Sequence, residues 1–419
     1  MTDQPNSEDA VELPTTPGAV ASEKPNVGRP SQRTRLLPGR LRRRANAEAH
    51  RAATLELFYD LVFVFTTTQV SHLLLGHLTW AGAAQAAIIL LAVWWSWNYT
   101  TWATNELNPE TNPVRFLMIA LMLGSLLMAI AIPYAFGQRG LLFALSYVTI
   151  QIGRHAFLTF VATERGSTER EQAGRILIWF LMAGSFWIAG GLASGEARTW
   201  LWLGALMLDY IAPRILFPIP GRLRLESDSW HPNIEHFSER FGLIVIIAIG
   251  ETIILTGSTA AGRELDPGTI GGIISAFAGS SALWWLYFIS TREFSENSLG
   301  DEVRRTARAR DIYTYGHALV VAGIILTAVG DEIVITHPLA TLDNAQLVTV
   351  AGGPALFLLA QLALNFRARH RVDHIRLGVI TGCAVMGLLG GYLPALIVHA
   401  ELVAVLMAVA LCDQICGRK

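Results

Sequence analysis

Glu56 and Asp60 stand four residues apart in the apolar run Leu55-Glu-Leu-Phe-Tyr-Asp-Leu-Val-Phe-Val-Phe65, so both fall on one face of a helix. His236 and Arg240 have the same spacing in a second run, as do Glu235 and Glu239. Arg154 and His155, Asn98, and Asp209 lie at similar depth in other apolar segments. Acids and bases gathered at one depth can pair as structural ions, pass an ion or proton, or do acid–base work on a bound molecule. Glu56 and Glu239 open their segments, where the helix dipole favours an acid, and Arg214 sits where it can snorkel. Asp60 lies a turn deeper, beyond the reach of a capping explanation. A second set lies deeper still. Glu251, in Ile-Ala-Ile-Gly-Glu-Thr-Ile-Ile, stands about 22 Å along its segment. Gln69 is its counterpart in the first run, with His72 one turn on, and His317, His399 and Glu401 occupy later segments. Glu251 suits proton relay or ion coordination, and equally a neutral acid bonded to a backbone carbonyl.

The elements that hold these groups are set by composition. Of 419 residues, 52% are hydrophobic and 16% charged, with mean hydropathy +0.41. Soluble proteins carry about 25% charged residues. Twelve apolar segments follow one another, roughly 53–77, 79–103, 113–136, 139–163, 173–194, 198–217, 236–260, 268–291, 309–330, 346–367, 372–392 and 394–413. Each has about the length that spans a ~30 Å hydrocarbon core. The fold class expected is an all-α polytopic membrane protein with about twelve transmembrane helices. Residues 1–52 precede them as an unstructured cytoplasmic tail, rich in Pro and polar residues, ending in the basic cluster Arg40, Arg42, Arg43, Arg44 and Arg51.

Basic residues set the orientation. With the amino terminus inside, 27 of the 32 Lys and Arg fall on inside connections, three (Arg139, Arg198, Arg263) on outside ones, and Arg154 and Arg240 within spans. Both termini are therefore expected in the cytoplasm, and the location is a bacterial cytoplasmic membrane. An internal repeat is the other organising signal. Asp60-Leu-Val-Phe-Val-Phe aligns with Gly242-Leu-Ile-Val-Ile-Ile, Trp94-Trp95 with Trp284-Trp285, Arg115 with Arg310, Arg175 with Arg376, and Leu208-Asp209 with Cys412-Asp413. The offset grows steadily, as loop insertions would make it. Two parallel six-helix repeats, 53–220 and 236–413, are expected, since an even span number keeps one orientation.

Other features narrow the chemistry. The tryptophans and tyrosines around 94–102 and 284–287 read as an interfacial belt, or as walls for an apolar or cationic ligand. Net charge is −1, which gives no pull towards nucleic acid. Cys383, Cys412 and Cys416 have neither disulfide nor zinc spacing, so no metal is expected and no cofactor is implied. The sequence contains no phosphate-binding Lys-Ser/Thr loop, Thr-Val-Gly-Tyr-Gly filter, His-Glu-x-x-His or Gly-x-Ser-x-Gly motif.

The runs Leu55–Phe65 and His236-Phe-Ser-Glu-Arg-Phe-Gly-Leu-Ile-Val-Ile-Ile-Ala-Ile-Gly-Glu251 resemble the bacterial low temperature requirement A family, over about residues 50–415. The resemblance implies a multi-span membrane protein linked by name to growth in the cold, and leaves its biochemical activity open. A fainter likeness runs to potassium channels built from six-span repeats, whose first helix carries Arg followed by Phe-Ser-Asp. Arg51 and Phe58-Tyr59-Asp60 look like that pattern, while Phe241-Gly242-Leu243 departs from it in the second half. The leading expectation is a secondary transporter or ion-conducting protein. It would move an ion or small molecule and use Glu56, Asp60, Arg154, His155, Asp209, Glu235, His236, Glu239 and Arg240 as a polar network. Gln69, His72, Glu251 and His317 are its deep intramembrane groups. The alternatives are a membrane enzyme acting on a lipid or hydrophobic metabolite, and a non-catalytic cold-adaptation factor. A homodimer, with four repeat units around one pore, is compatible with twelve spans per chain.

Overall fold

The computed structural model describes residue 41 and residues 53–221, 233–291, 307–369 and 373–416. The expected tail and its basic cluster lie outside the described residues. Among those described, the regular elements are helices, and Thr341 and Pro394 form one isolated bridge. Twelve α-helices run α1 Thr54–Leu75, α2 Trp80–Glu106, α3 Asn112–Ala131, α4 Gly140–Phe157, α5 Thr168–Leu192, α6 Glu196–Ile211, α7 Ile234–Ala261, α8 Pro267–Thr291, α9 His317–Thr336, α10 Asn344–Arg369, α11 His374–Leu389 and α12 Ala395–Cys416. Eleven are long and apolar enough to cross a membrane. The exception is α6. It was expected to run to residue 217 but ends after 16 residues. Ala212 keeps helical dihedrals and bonds Leu208 O, but Pro213 brings no N–H with which to continue the ladder. Leu216 and Phe217 then take positive φ values of 60° and 48°, which turns the chain away.

Local chemistry fixes the helix starts. The side chains of Thr79, Ser167, Asn233 and Asp373 accept backbone N–H bonds at the first turns of α2, α5, α7 and α11. Asp343 and Gln346 form a reciprocal capping box at α10. Asp266 caps α8 ahead of Pro267, and these bonds hold its exposed carboxyl below the usual carboxylate range.

The three arginines that the charge tally placed on outside connections are all consumed by helix carboxyl ends. Arg139 donates to Ile130 O at 2.8 Å and Arg263 to Thr336 O at 2.5 Å. Arg198 donates to Gly190 O, Ala193 O, Ala135 O and Gly137 O at 2.5–3.1 Å, tying the ends of α3 and α5 together. A cation is favoured at that pole of the dipole. Arg198→Ala, which strands four carbonyls, should therefore lower stability by about 2–3 kcal/mol. Thermal unfolding in detergent reads this directly; an unchanged midpoint would remove the cap from the account.

Packing places α2 and α9 at the centre. Every residue of α2 from Ala92 to Thr101 is buried, and so is nearly every one of α9 from Val320 to Ile335. α1 packs on α2, α3, α7 and α9; α7 packs on α8 and α9; α9 packs on α10. The α9–α10 approach depends on glycine. A Cβ on Gly323 or Gly353 would come within 2.6 Å of the facing backbone nitrogen of Phe357 or Thr327.

Candidate functional site

α1 and α7 lie parallel and in register, and polar groups bridge them at three levels. At the first, Glu56 is the third residue of α1, and its carboxylate accepts from Ala53 N at 2.7 Å. The same carboxylate meets His236 Nε2 at 3.1 Å. Asn105, at the end of α2, fixes the proton on that imidazole. Its Oδ1 accepts from Asn233 N at 3.0 Å, so its Nδ2 donates to Asn233 O and to His236 Nδ1, at 3.1 and 3.0 Å. Nδ1 is then an acceptor, and His236 carries its hydrogen on Nε2, facing Glu56.

One turn deeper, Asp60 Oδ1 accepts from Arg240 Nη2 at 2.7 Å and from Trp97 Nε1 at 2.8 Å. Asp60 is 1% exposed and Arg240 0%. The pair is joined by one oxygen only. Asp60 Oδ2, Arg240 Nε and Arg240 Nη1 are buried without a partner. Unserved polar atoms on both members of a buried ion pair are costly.

At the third level Thr68 Oγ1 stands 2.6 Å from Glu251 Oε2 and 3.1 Å from Val64 O. A hydroxyl has one hydrogen. Thr68 is the donor in both contacts and shares its hydrogen between Val64 O and Glu251 Oε2 as a three-centre bond. Glu251 Oε1 is buried without a partner.

The expected residues separate around this seam. Glu235 and Glu239 project from the exposed side of α7, away from His236 and Arg240, and have partners of their own. Gln69 is half-buried beside Thr68, and His72 is exposed in the last turn of α1. His317 is buried on α9, with Nε2 2.9 Å from Tyr287 Oη and Nδ1 2.9 Å from Ile312 O. That second bond spans the π-helical stretch Arg310–Gly316, which also turns Thr314 O towards Trp94 Nε1, at 2.7 Å. Arg154 is buried on α4 beneath α2, and His155 accompanies it. Asp209 accepts from Tyr147 Oη and Trp187 Nε1 at 2.8 and 3.0 Å, inside the first half of the bundle. The belt expected of the α2 tryptophans is overturned: Trp94, Trp95 and Trp97 are at most 3% exposed and form core contacts.

Sequence reasoning passed over Asp331. Its segment was expected to end at residue 330, whereas α9 continues to Thr336 and buries the carboxylate completely. His399 Nε2 lies 2.8 Å from Asp331 Oδ1, and His399 Nδ1 lies 2.7 Å from Ser275 Oγ. The order Ser–His–Asp is that of a hydrolase relay. Here it lies in a stripe where α8 and α12 touch: a Cβ on Gly271 would meet Leu396 at 2.9 Å, and one on Gly279 would meet Val403 at 3.2 Å. Between helices this close, the bonds of His399 to Ser275 and Asp331 tie α8, α9 and α12 together. Among the described residues no group of His, Cys, Asp and Glu is placed to hold a metal ion.

The family model for the bacterial low temperature requirement A protein matches residues 51–411, which contain the whole seam. An uncharacterized protein of Rhizobium meliloti (strain 1021), RA0937, is 35% identical over 316 residues, covering 75% of this chain and 77% of its own length. No solved structure matches the chain. Together, the helices that carry the two motif runs and the length of these matches establish that the chain belongs to the bacterial low temperature requirement A family, as a multi-pass membrane protein.

Proposed function

We propose that the protein is a secondary transporter or ion-conducting protein of the bacterial cytoplasmic membrane, with both termini inside, and that the α1–α7 seam is its path. The observation that carries this reading is the three-level file: Glu56 with His236, Asp60 with Arg240, and Thr68 with Glu251. Asp60 and Thr68 are eight residues apart, which puts about 12 Å between their levels along α1. Titratable groups follow one another from one end of the bundle to beyond its middle, with unserved oxygens at the second and third levels. The bridges between α1 and α7 also suit the proposed duplication, because the corresponding first helices of the two repeats would then meet at the axis relating them. An apolar protein retains charges at such a junction where an ion must pass.

Thiol accessibility separates a path from structural glue. In a cysteine-free background, Thr68→Cys should react with a charged, membrane-impermeant methanethiosulfonate reagent. Ala205→Cys, buried in α6 away from the seam, should not. A Thr68→Cys protein as inert as the Ala205→Cys control would mean a dry seam and would reduce these pairs to structural ions.

A further inference from the structure

The third level of the seam leaves Glu251 ten residues short of the end of α7, about 15 Å along the helix. Two titratable side chains occupy the remaining distance. Glu332 lies four residues before the end of α9, and His72 three residues before the end of α1. α9 packs on both α1 and α7. The three groups are coupled in order: Glu332 is within electrostatic reach of Glu251, and His72 within reach of Glu332. Exposure rises in the same order. Glu251 is 0% exposed, Glu332 is half-buried and His72 is exposed. Glu251 Oε1 and Glu332 Oε2 are both buried without a partner.

The other charged groups at this end are engaged or stand outside the file. Asp331, beside Glu332 in sequence, is bonded to His399, and Arg263 is bonded to Thr336 O. His77, Glu264 and His337 are exposed on the turns beyond the helix ends. Among the described residues no basic side chain forms an ion pair with Glu251 or Glu332, whereas Asp60 has Arg240. Two acids without a fixed counter-charge attract a cation. A metal cation needs a shell of several ligands, and no group of three His, Cys, Asp or Glu residues is placed to supply one among the described residues. A proton needs one acceptor at a time. No hydrogen bond joins Glu332 to Glu251 or to His72, so a proton would cross each gap through a water held by the unserved oxygens.

We propose that Glu332 and His72 form the outer half of a proton path that continues from Glu251. His72 exchanges protons with the outside water and passes one to Glu332, and Glu332 passes it on to Glu251. Each carboxylate takes up the proton that its neighbour releases, and the reverse order carries a proton out. This rests on the transport reading of the seam and narrows its ion to a proton.

The test is proton flux in proteoliposomes under a pH gradient, followed with a trapped pH dye, beside K⁺ flux in the same preparation. Glu332→Gln keeps the size of the side chain but cannot carry a proton. It should reduce proton flux by about tenfold or more at equal folded protein, and Glu332→Asp should recover part of the loss. Glu401→Gln, which changes an exposed acid on α12 outside the file, should leave the flux unchanged. His72→Ala should slow it several-fold. Raising the concentration of a membrane-impermeant sulfonate buffer on both sides should then restore the rate, because a mobile proton carrier replaces the exposed imidazole; a structural defect would not be repaired in this way. Wild-type proton flux in folded Glu332→Gln, or a His72→Ala protein that is either unslowed or not restored by buffer, would overturn the inference and leave the seam as a path. A wild type that passes K⁺ but no protons would do the same. A wild type silent to both ions would remove the transport reading itself, and the inference with it.

Discussion

Asp60→Ala will lower the stability of the protein by roughly 3–5 kcal/mol, because it leaves the Arg240 guanidinium charged and buried with no carboxylate. Two further effects add to this cost. The Trp97 indole N–H loses its acceptor, and removing the carboxyl group opens a cavity beside α2. The measurement is reversible unfolding in mild detergent, followed by the fluorescence of the buried tryptophans. A loss below about 1 kcal/mol would place the Asp60–Arg240 contact among weak, solvated ion pairs.

The second large effect is a separation of stability from function. Replacing both partners, Asp60→Leu with Arg240→Met, removes two buried charges together. Such replacements are often neutral or stabilising, since the desolvation penalty goes with the charges. The unpartnered Trp97 N–H offsets part of that gain. The double variant should unfold within about 2 kcal/mol of the wild type, far above Asp60→Ala alone. Its ion flux should nevertheless be lost, because a file interrupted by leucine and methionine cannot hand on a charge. A double variant that folds and transports normally would show that this level of the seam is structural.

Part of this was legible in the sequence. The membrane fold is written in the apolar blocks, and the four-residue spacings of Glu56 with Asp60 and of His236 with Arg240 mark two polar faces. The pairing of those faces is not legible, because spacing describes a face without saying which helix it meets. The same limit explains Glu235 and Glu239. They have the four-residue spacing of a shared face, but α7 turns them outwards while His236 and Arg240 turn in. Asp331 was lost to a boundary: an acid five residues from a hydrophobic segment's true end looks like the first residue of a loop. The α2 tryptophans misled for a physical reason as well. An indole suits an interface because it is amphipathic, and for the same reason it suits a core that offers an acceptor, as Asp60 does for Trp97 and Thr314 for Trp94.

Arg139, Arg198 and Arg263 show what the structure adds to a charge tally. As counts they are three exceptions to a strong bias. As placed side chains they are caps on helix carboxyl ends, where they saturate backbone carbonyls. Exceptions with such a local task do not weaken the orientation proposed from the remaining basic residues.

The most direct test of the proposed path is ion flux in proteoliposomes under an imposed pH or K⁺ gradient, comparing the wild type with Glu251→Gln and Glu235→Gln. Glutamine keeps the size of Glu251 and its bond to Thr68 but cannot release a proton. Glu235 lies on the exposed side of α7 and serves as the control. The account predicts a proton-coupled flux in the wild type, retained by Glu235→Gln and reduced at least tenfold by Glu251→Gln at equal folded protein. Wild-type flux through folded Glu251→Gln would contradict it.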